Sequence, residues 1–191
     1  KHAVTDAPDQ WGSFCRLSAV VFGRSIMYLG LNTFIVLYFM NHFHESQNFS
    51  NLLLSVYYGI GALFTLIGGK LGDKHGYRTF VRFGFLLAFP AALILAWTDS
   101  SILGILCLIV LGAALNLTYS PMVVLGQQYL PNRVGLASGI TLGLAVSVGG
   151  ITAPLLGKVG DMYGLETTFY VIALITLIPL ISSFTLPKPK K

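Results

Sequence analysis

Six long runs of apolar residues dominate the hydropathy pattern, and most of them have the length of a membrane-spanning helix. The runs cover approximately Leu17–Met40, Leu52–Leu71, Phe80–Trp97, Ile102–Leu125, Val134–Val159 and Thr168–Phe184. A helix of about 20 apolar residues is needed to cross the hydrocarbon core of a bilayer, where every backbone polar group must find its partner within the protein. The sequence lacks the alternating segments of about ten residues that indicate a transmembrane β-barrel. The pattern therefore predicts an all-α membrane protein with six transmembrane helices.

An eight-residue string occurs twice, and its two copies are predicted to lie on opposite faces of the membrane. Gly69–Gly76 and Gly157–Gly164 both read Gly-Lys-aliphatic-Gly-Asp-x-x-Gly. Three predicted crossings separate equivalent points of the two copies, and an odd number of crossings reverses the side. Repeats of inverted topology are typical of secondary transporters. Residues 14–186 are therefore predicted to contain two inverted repeats of three helices each.

The basic residues divide by membrane side. Ten of the twelve Lys and Arg residues fall on the side of the chain ends: Lys1, Arg16, Lys70, Lys74, Arg78, Arg82, Arg133, Lys188, Lys190 and Lys191. The loops of the other side, around 41–51, 98–101 and 160–167, contain neither Lys nor Arg. The excess of positive charge in cytoplasmic loops predicts that both ends of this segment are cytoplasmic. Residues 1–13 are interpreted as a cytoplasmic linker and residues 187–191 as a basic cytoplasmic tail.

The composition excludes an ordinary soluble domain. Hydrophobic residues make up 54% of the chain and charged residues 10%, whereas soluble domains carry roughly a quarter charged residues. The net charge of +5 does not indicate a nucleic-acid partner, because the basic residues divide by membrane side. Cys15 and Cys107 are predicted to be inert buried thiols rather than a disulfide. The chain begins with Lys1 rather than Met, and we expect it to be part of a longer polypeptide.

No arrangement of residues in the sequence indicates an enzyme, a cofactor or a metal site. A nucleophile–base–acid set, a phosphate-binding loop and a cofactor fingerprint are all missing. His42-Phe43-His44-Glu45 offers metal-ligand types, but alternate residues of a solvated loop seldom complete a four-ligand site. We therefore predict a protein that is not an enzyme and that needs no cofactor.

One segment carries a resemblance to a known family. Gly68–Arg78 resembles the loop signature of the major facilitator superfamily, including its glycines, Asp73 and the closing basic residue. That signature joins the second and third helices of a six-helix half. Gly149–Gly157 is similar to the glycine- and proline-rich fifth helix that is common in drug-efflux members. The resemblance implies the C-terminal half of a twelve-helix fold, with the N-terminal six-helix half of the same polypeptide and the lipid bilayer as partners.

A narrower resemblance concerns function. Val124–Gly139, together with Thr33–Met40 and residues 140–165, is similar to the C-terminal half of fosmidomycin-resistance efflux proteins. It implies proton-coupled efflux of a small drug or metabolite, with an anionic solute as one option, by alternating access in a bacterial inner (plasma) membrane. The chain departs from that family at Gln128, where the resemblance implies a carboxylate and an amide cannot carry a proton. A metabolite importer of the same superfamily is the first alternative. A structural membrane protein would share the spans without requiring the inverted string.

Arg24 is the most informative single residue, because it lies roughly 12 Å inside the first span, counted along the helix from Arg16. A guanidinium is costly against lipid, so Arg24 is predicted to face protein or a wet cavity. Tyr28 and Asn32 follow at i+4 and i+8 on the same helix face. The functional interpretation is that Arg24 receives a phosphonate or carboxylate of the substrate. The alternative is a structural arginine that is bonded to carbonyls or extends to the membrane surface.

Three further polar residues are substrate-binding candidates. Tyr58, Asn116 and Tyr119 lie within the second and fourth spans and would complete a mixed polar and apolar cavity. Interhelical hydrogen bonding or core packing explains each of them equally well. No Asp, Glu or His lies deep in a span, so the residue that carries a coupling proton is predicted to lie outside this chain.

The repeated string is a candidate latch for alternating access. Its members are Gly69, Gly72, Asp73, Lys74, Gly76, Arg78, Gly157, Asp161 and Gly164. Asp73 and Asp161 could accept hydrogen bonds at the N-terminus of a neighbouring helix, and the basic residues Lys74, Arg78 and Arg82 could pair with Asp73 or with lipid phosphate. The alternative is a capped, positively charged turn without a switching role.

A glycine stripe marks the fifth span. Gly135, Gly139 and Gly143 are spaced i, i+4, i+8 and predict close helix packing on one face. Pro154, further along the same span, predicts a bend.

Overall fold

The computed structural model of the chain describes residues 8–189, and within them the backbone is almost entirely helical. Its elements are α1 (Trp11–Asn41), α2 (Gln47–His75), α3 (Tyr77–Trp97), α4 (Ser101–Leu117), α5 (Tyr119–Tyr129), a 3₁₀ turn (Pro131–Arg133), α6 (Val134–Tyr163), α7 (Leu165–Ile175) and α8 (Leu177–Phe184). This range contains no strand. Lys1 of the predicted linker and Lys190 and Lys191 of the predicted tail lie outside the described residues.

Within residues 8–189, six helical segments are long and apolar enough to cross a membrane, which confirms the predicted number of spans. Spans 1 to 3 are α1, α2 and α3. Span 4 consists of α4 and α5, span 5 of the 3₁₀ turn and α6, and span 6 of α7 and α8. Most spans extend beyond the predicted apolar run, because the helical backbone continues to a polar cap. At the start of α2, for example, the Phe49 N–H donates to the Ser46 hydroxyl.

The loops gather at two opposite ends of the helix bundle. At one end, which we call the terminal end, the Gln10 N–H donates to the Tyr129 carbonyl over 2.7 Å. At the other, the distal end, the His42 ring lies 2.8 Å from a Glu166 oxygen and 2.9 Å from the Thr98 carbonyl oxygen. The Tyr129 hydroxyl also donates to the Pro187 carbonyl over 2.7 Å, so both described chain ends meet at the terminal end.

The two copies of the repeated string end helices at opposite ends of the bundle. Gly76 separates α2 from α3 at the terminal end, where nearby Arg78 donates to the Leu186 carbonyl. Gly164 separates α6 from α7 at the distal end, two residues before Glu166. This is the placement that the odd number of crossings predicts.

The packing of the spans repeats in inverted order between the two triplets. Span 1 packs against spans 5 and 6, through contacts of α1 with α6, α7 and α8. Span 4 packs in the same way against spans 2 and 3, through contacts of α4 with α2 and α3. The first helix of each triplet therefore lies within the other triplet. This reciprocal arrangement confirms the predicted fold of two inverted three-helix repeats.

Burial follows the same repeat. In the most apolar stretch of each span the buried share is 61% and 56% for spans 1 and 4, 44% and 39% for spans 3 and 6, and 22% for both spans 2 and 5. The core is therefore centred on spans 1 and 4, and spans 2 and 5 leave a broad face open. Of the two cysteines that were predicted to be buried, Cys107 is buried but Cys15 is exposed, since it lies on the outward side of α1.

Candidate functional site

A cavity of about 600 Å³ lies between the central spans, near the middle of their length. Its wall comes from α1, α2, the junction of α4 with α5, and α6. The lining residues are Arg24, Tyr28, Leu29, Thr65, Asn116, Tyr119, Ala145, Val146, Gly149, Gly150 and Ala153. Six of these residues are aliphatic or glycine and five carry polar groups, a mixture that suits a small-molecule site.

Span 4 is interrupted beside this cavity, between Leu117 and Tyr119. Pro121 has no N–H and cannot donate to the Leu117 carbonyl four residues earlier. At the break, the Thr118 hydroxyl donates to the Leu115 carbonyl over 2.8 Å. The interruption re-aims the chain and places the Tyr119 ring on the cavity wall.

Two glycines allow α2 to approach this interruption closely. A Cβ atom on Gly68 would lie 2.2 Å from the Leu117 carbonyl oxygen. A Cβ atom on Gly61 would lie 2.6 Å from the side-chain nitrogen of Asn116, which donates to the Gly112 carbonyl over 2.8 Å. Because neither separation leaves room for a side chain, glycine at these positions brings the α2 backbone into contact with span 4.

Arg24 is buried in the cavity wall, and its protein contacts are with neutral groups. Its Nε donates to the Leu115 carbonyl over 2.9 Å. Its Cζ lies 5.1 Å from the Tyr28 ring centroid and 4.8 Å from the Tyr119 ring centroid, so two cation–π contacts orient the guanidinium. Among residues 8–189, neither terminal nitrogen of Arg24 has a hydrogen-bond partner, and no carboxylate pairs with it.

This unpaired charge is the strongest chemical feature of the cavity. A buried cation without a counter-ion is costly in low-dielectric surroundings. The bond from Nε to Leu115 agrees with the structural interpretation of Arg24, but it uses only one of the five N–H groups of the guanidinium. The N–H groups on its two terminal nitrogens can donate to the oxygens of a carboxylate or phosphonate in bidentate geometry. The arrangement can therefore bind an anionic group, while the tyrosine rings and small α6 residues contact the rest of a solute.

The structure brings four of the six predicted substrate-binding candidates together. Arg24, Tyr28, Asn116 and Tyr119 all line the cavity. Asn32 and Tyr58 are not among its lining residues. The Asn32 Oδ1 atom is buried without a hydrogen-bond partner in the described range, and Tyr58 is 46% exposed on the open side of α2.

Tyr57 is a residue that the sequence reasoning missed. It is 1% exposed, its hydroxyl has no partner among the described residues, and its ring centroid lies 6.3 Å from that of Tyr28. The helical period could have identified it, because the buried face of α2 runs through Leu53, Tyr57 and Gly61. Tyr58 lies about 100° further around the helix and faces outward. The small residues that α6 places on the cavity wall were missed as well.

The turns formed by the repeated string have the same backbone geometry. Gly76 and Gly164 both have positive φ, and the N–H of each donates over 2.9 Å to the carbonyl of Gly72 or Gly160, respectively. A Cβ atom on Gly72 would lie 2.6 Å from the ring of Tyr77, the first residue of α3. The glycines of the string thus end a helix and let the next helix begin directly beside it.

The charged residues of the first copy differ from their expected pairing. Asp73 accepts a hydrogen bond from the Tyr77 hydroxyl rather than from Arg78 or Arg82. Arg78 donates to the Leu186 carbonyl, and Arg82 donates to the carbonyls of Ser183, Phe184 and Leu186. The last carbonyls of a helix have no partner within it, so these arginines satisfy the C-terminal end of span 6. Lys74 and Asp161 are exposed.

The glycine stripe of span 5 faces away from the bundle. A Cβ atom on Gly135, Gly139 or Gly143 would meet no atom of the described residues within 4 Å. Pro154 lies inside α6 and is exposed. The predicted close packing at this stripe therefore concerns a partner surface beyond residues 8–189, and it stays a prediction.

Comparison with known proteins agrees with this architecture. Residues 17–191 match the family model described as Major Facilitator Superfamily. The chain is 32% identical over 162 residues to the uncharacterised MFS-type transporter YfnC of Bacillus subtilis, covering 84% of this chain and 39% of that protein. It is 30% identical over 169 residues to the fosmidomycin resistance protein of Escherichia coli, covering 88% of this chain and 41% of that protein.

Solved structures show the same fold. A crystal structure of the peptide transporter POT in complex with sulfate superposes with a TM-score of 0.84 at 18% identity, covering 96% of this chain and 40% of that one. The chain thus spans about two-fifths of the length of the relatives that it matches. It belongs to the major facilitator superfamily.

Proposed function

We propose that this chain of the major facilitator superfamily is the C-terminal half of a twelve-helix secondary transporter that exports a small organic anion in exchange for protons. The observation that carries the proposal is the unpaired guanidinium of Arg24 on the wall of the central cavity. It supplies a binding group for a carboxylate or phosphonate. The other lining residues, including Tyr28, Asn116 and Tyr119, supply rings and hydrogen-bonding groups for the rest of the solute.

The partner of this chain is an N-terminal six-helix half of the same polypeptide. Spans 2 and 5 support this assignment, because both leave most of their apolar length unburied and both contribute to the cavity wall. A second half seated on this open face would close the cavity from the other side. It would also meet the stripe of Gly135, Gly139 and Gly143, where the absence of side chains permits close helix contact.

The terminal end of the bundle is the cytoplasmic end in this proposal. Within the described residues it carries Arg16, Arg78, Arg82, Arg133 and Lys188, among others, whereas the loops of the distal end carry neither Lys nor Arg. Basic residues are retained on the cytoplasmic side of membrane proteins. A multi-pass protein of a bacterial inner membrane with this orientation follows.

We infer efflux, and proton exchange as its driving force, from the likeness to the fosmidomycin resistance protein of Escherichia coli, because export of a drug is one route to resistance. The cavity wall of this chain contains no Asp, Glu or His. We therefore assign proton transfer at the cavity to the other half. Gln128 does not replace it, because an amide does not titrate.

The repeated string acts as the latch of the transport cycle in this proposal. Asp73 and Tyr77 link the last turn of α2 to the first residue of α3 across the Gly76 turn. Exposed Lys74 remains available for a contact with the other half that forms in one access state and breaks in the other. The capping-only alternative predicts the same turn without any effect on turnover.

The proposal is tested by transport in proteoliposomes that contain the full-length protein. Uptake of labelled fosmidomycin, and of a panel of small carboxylates, is measured against a neutral solute of similar size. Arg24→Ala is expected to lower uptake of the anions at least tenfold, since a desolvated charge-assisted bond contributes about 1.5–3 kcal/mol. Arg133→Ala is the matched control, because Arg133 is exposed and is not among the residues that line the cavity.

Unchanged anion transport by Arg24→Ala would remove Arg24 from the binding site. Direction is read separately, by imposing a proton gradient of either sign across the vesicle membrane. Export in exchange for protons predicts accumulation of the anion only when protons leave the vesicle. Accumulation with entering protons would identify a proton-coupled importer of the same superfamily instead.

A further inference from the structure

The distal end holds a histidine whose two ring nitrogens both face acceptors. The His42 Nδ1 atom lies 2.8 Å from Glu166 Oε1, and the Nε2 atom lies 2.9 Å from the Thr98 carbonyl oxygen. Asp99 Oδ1 is 3.8 Å from the same Nε2 atom. A neutral imidazole carries a proton on one nitrogen only, so between a Glu166 carboxylate and a carbonyl one of the two short contacts would bring two lone pairs together. The imidazolium satisfies both contacts.

The surrounding residues hold the ring in this position. The His42 side chain is only 12% exposed, and its ring stacks on that of Tyr38 with centroids 4.9 Å apart and planes 9° from parallel. Tyr38 is itself fixed, because its hydroxyl donates to the Leu95 carbonyl over 2.9 Å. His42 also caps the C-terminus of α1, where a positive charge is favoured by the helix dipole.

This one ring connects three spans. His42 directly follows α1, Thr98 follows α3, and Glu166 lies in the first turn of α7. We propose that His42 is a proton-operated clasp: with both nitrogens protonated it ties the distal end of span 1 to spans 3 and 6. Loss of one proton breaks one of the two bonds and releases that end of α1. The clasp adds to the proposed function and rests on it for one point only. That point is that the protons which operate the clasp come from the side to which the solute is exported.

Two carboxylates face the His42 ring from different elements. Glu166 faces the ring from α7, Asp99 faces it from the loop after α3, and Tyr38 lies beneath the ring on α1. The distal loops contain neither Lys nor Arg, and Lys158 lies within α6, six residues before Gly164, where it is exposed. The same loop as His42 holds His44, which is exposed, and Glu45, which accepts a hydrogen bond from the Ser101 hydroxyl. The clasp therefore closes as the distal compartment becomes acidic and opens as its pH rises.

The protonation is tested on the full-length protein in lipid nanodiscs, with its histidine rings labelled with ¹⁵N. The nitrogen shifts distinguish an imidazolium from either neutral tautomer, and His42→Gln identifies the His42 signals by their loss. We expect an imidazolium at pH 6 that loses a proton as the pH rises. We expect Glu166→Gln to make this proton loss occur at lower pH. A His42 ring that is neutral at pH 6, or that titrates identically in Glu166→Gln, would overturn the proposal.

The release of α1 is tested by hydrogen exchange of the amides in residues 36–46, with the intrinsic effect of pH removed. Exchange should be at least several-fold faster at pH 8 than at pH 6 in the wild type, and fast at both in His42→Gln. His44→Gln is the matched control, since His44 is an exposed neighbour in the same loop and should leave the wild-type response intact. Equal exchange in His42→Gln and the wild type would overturn the clasp. Neither measurement uses a transported solute, so its failure is separate from a failure of the Arg24 transport test.

Discussion

Gly76 and Gly164 have nearly the same positive-φ conformation at opposite ends of the bundle, with φ values of 93° and 90°. The N–H of each donates to the carbonyl of the glycine four residues earlier, over the same distance of 2.9 Å. The repeated string therefore encodes one helix-ending turn twice. Because three spans separate the copies, the chain uses this turn once in each direction across the bundle.

Replacing either glycine with alanine should destabilise the protein through its backbone alone. No atom lies within 4 Å of a Cβ at Gly76 or Gly164, so the cost is that of a non-glycine residue at this φ, about 1–3 kcal/mol. Thermal unfolding of the full-length protein in detergent measures it. Gly59→Ala is the control, since Gly59 also faces open space but has ordinary helical geometry. If all three variants unfold at the same temperature, the turn does not require glycine.

The adjacent glycines Gly68 and Gly69 should differ in their tolerance of alanine. At Gly68 the new Cβ would lie 2.2 Å from the Leu117 carbonyl oxygen, and backbone atoms cannot give way without separating α2 from span 4. We expect Gly68→Ala to cost about 1–3 kcal/mol and to impair transport, because the displaced span forms the cavity wall. Gly69→Ala meets only the Ser120 hydroxyl at 3.0 Å and should cost less. The same unfolding assay separates them, and equal losses would contradict the close approach.

The ring of Tyr119, rather than its hydroxyl, should support anion binding by Arg24. The guanidinium carbon lies 4.8 Å from the ring centroid, and no hydrogen bond of the Tyr119 hydroxyl is formed with residues 8–189. Tyr119→Phe should therefore keep the wild-type KM. Tyr119→Leu should raise KM by about two- to thirtyfold, for a cation–π contact of about 0.5–2 kcal/mol.

Tyr58→Leu is the comparison for this pair, because Tyr58 is a predicted candidate that does not line the cavity. We expect it to bind and transport like the wild type. A larger effect from Tyr58→Leu than from Tyr119→Leu would place the solute against the open face of α2 instead.

Removing the charge of Asp73 should slow turnover more than it weakens binding. The side chain in Asp73→Asn keeps an oxygen that can accept the hydrogen bond from the Tyr77 hydroxyl, so this variant should preserve the turn. If the charge of Asp73 stabilises one access state, kcat should fall about tenfold while KM stays unchanged. A tenfold fall in kcat corresponds to a rise of about 1.4 kcal/mol in the activation free energy. Tyr77→Phe removes the hydrogen bond but keeps the charge and should have the smaller effect. A kcat equal to that of the wild type in Asp73→Asn would favour the capping-only interpretation. Asp161→Asn is the equivalent test of the second copy.

Much of the fold could be predicted because membrane constraints act locally along the sequence. Every span must be apolar over its length, and a backbone in lipid must be helical, so the six spans follow from hydropathy. The repeated string adds the inverted relationship of the two triplets. Arg24 could be identified for the same reason, because a guanidinium deep in a span is too costly to face lipid.

The partners of individual side chains could not be predicted in this way. Tyr57 and Tyr58 are adjacent in the sequence, and their side chains point about 100° apart around α2. Which of the two faces the interior depends on the orientation of α2 about its own axis. The sequence predicts Asp73 or lipid phosphate as the partner of Arg82, but Arg82 donates to carbonyls at the end of span 6, about a hundred residues away. His42 was considered only as a poor metal ligand, since nothing local places Glu166 beside it.

By itself, the sequence determined the number of spans and their helical form, because polar groups are costly in lipid, and its repeated string determined the inverted repeat. Only the tertiary structure decided that Arg24 contacts two tyrosine rings and pairs with no carboxylate of residues 8–189, and that His42 joins three spans. Those relationships depend on contacts between spans that are distant in sequence. Their geometry is set by where α2, span 4 and α6 can approach one another, which is a property of the packed bundle.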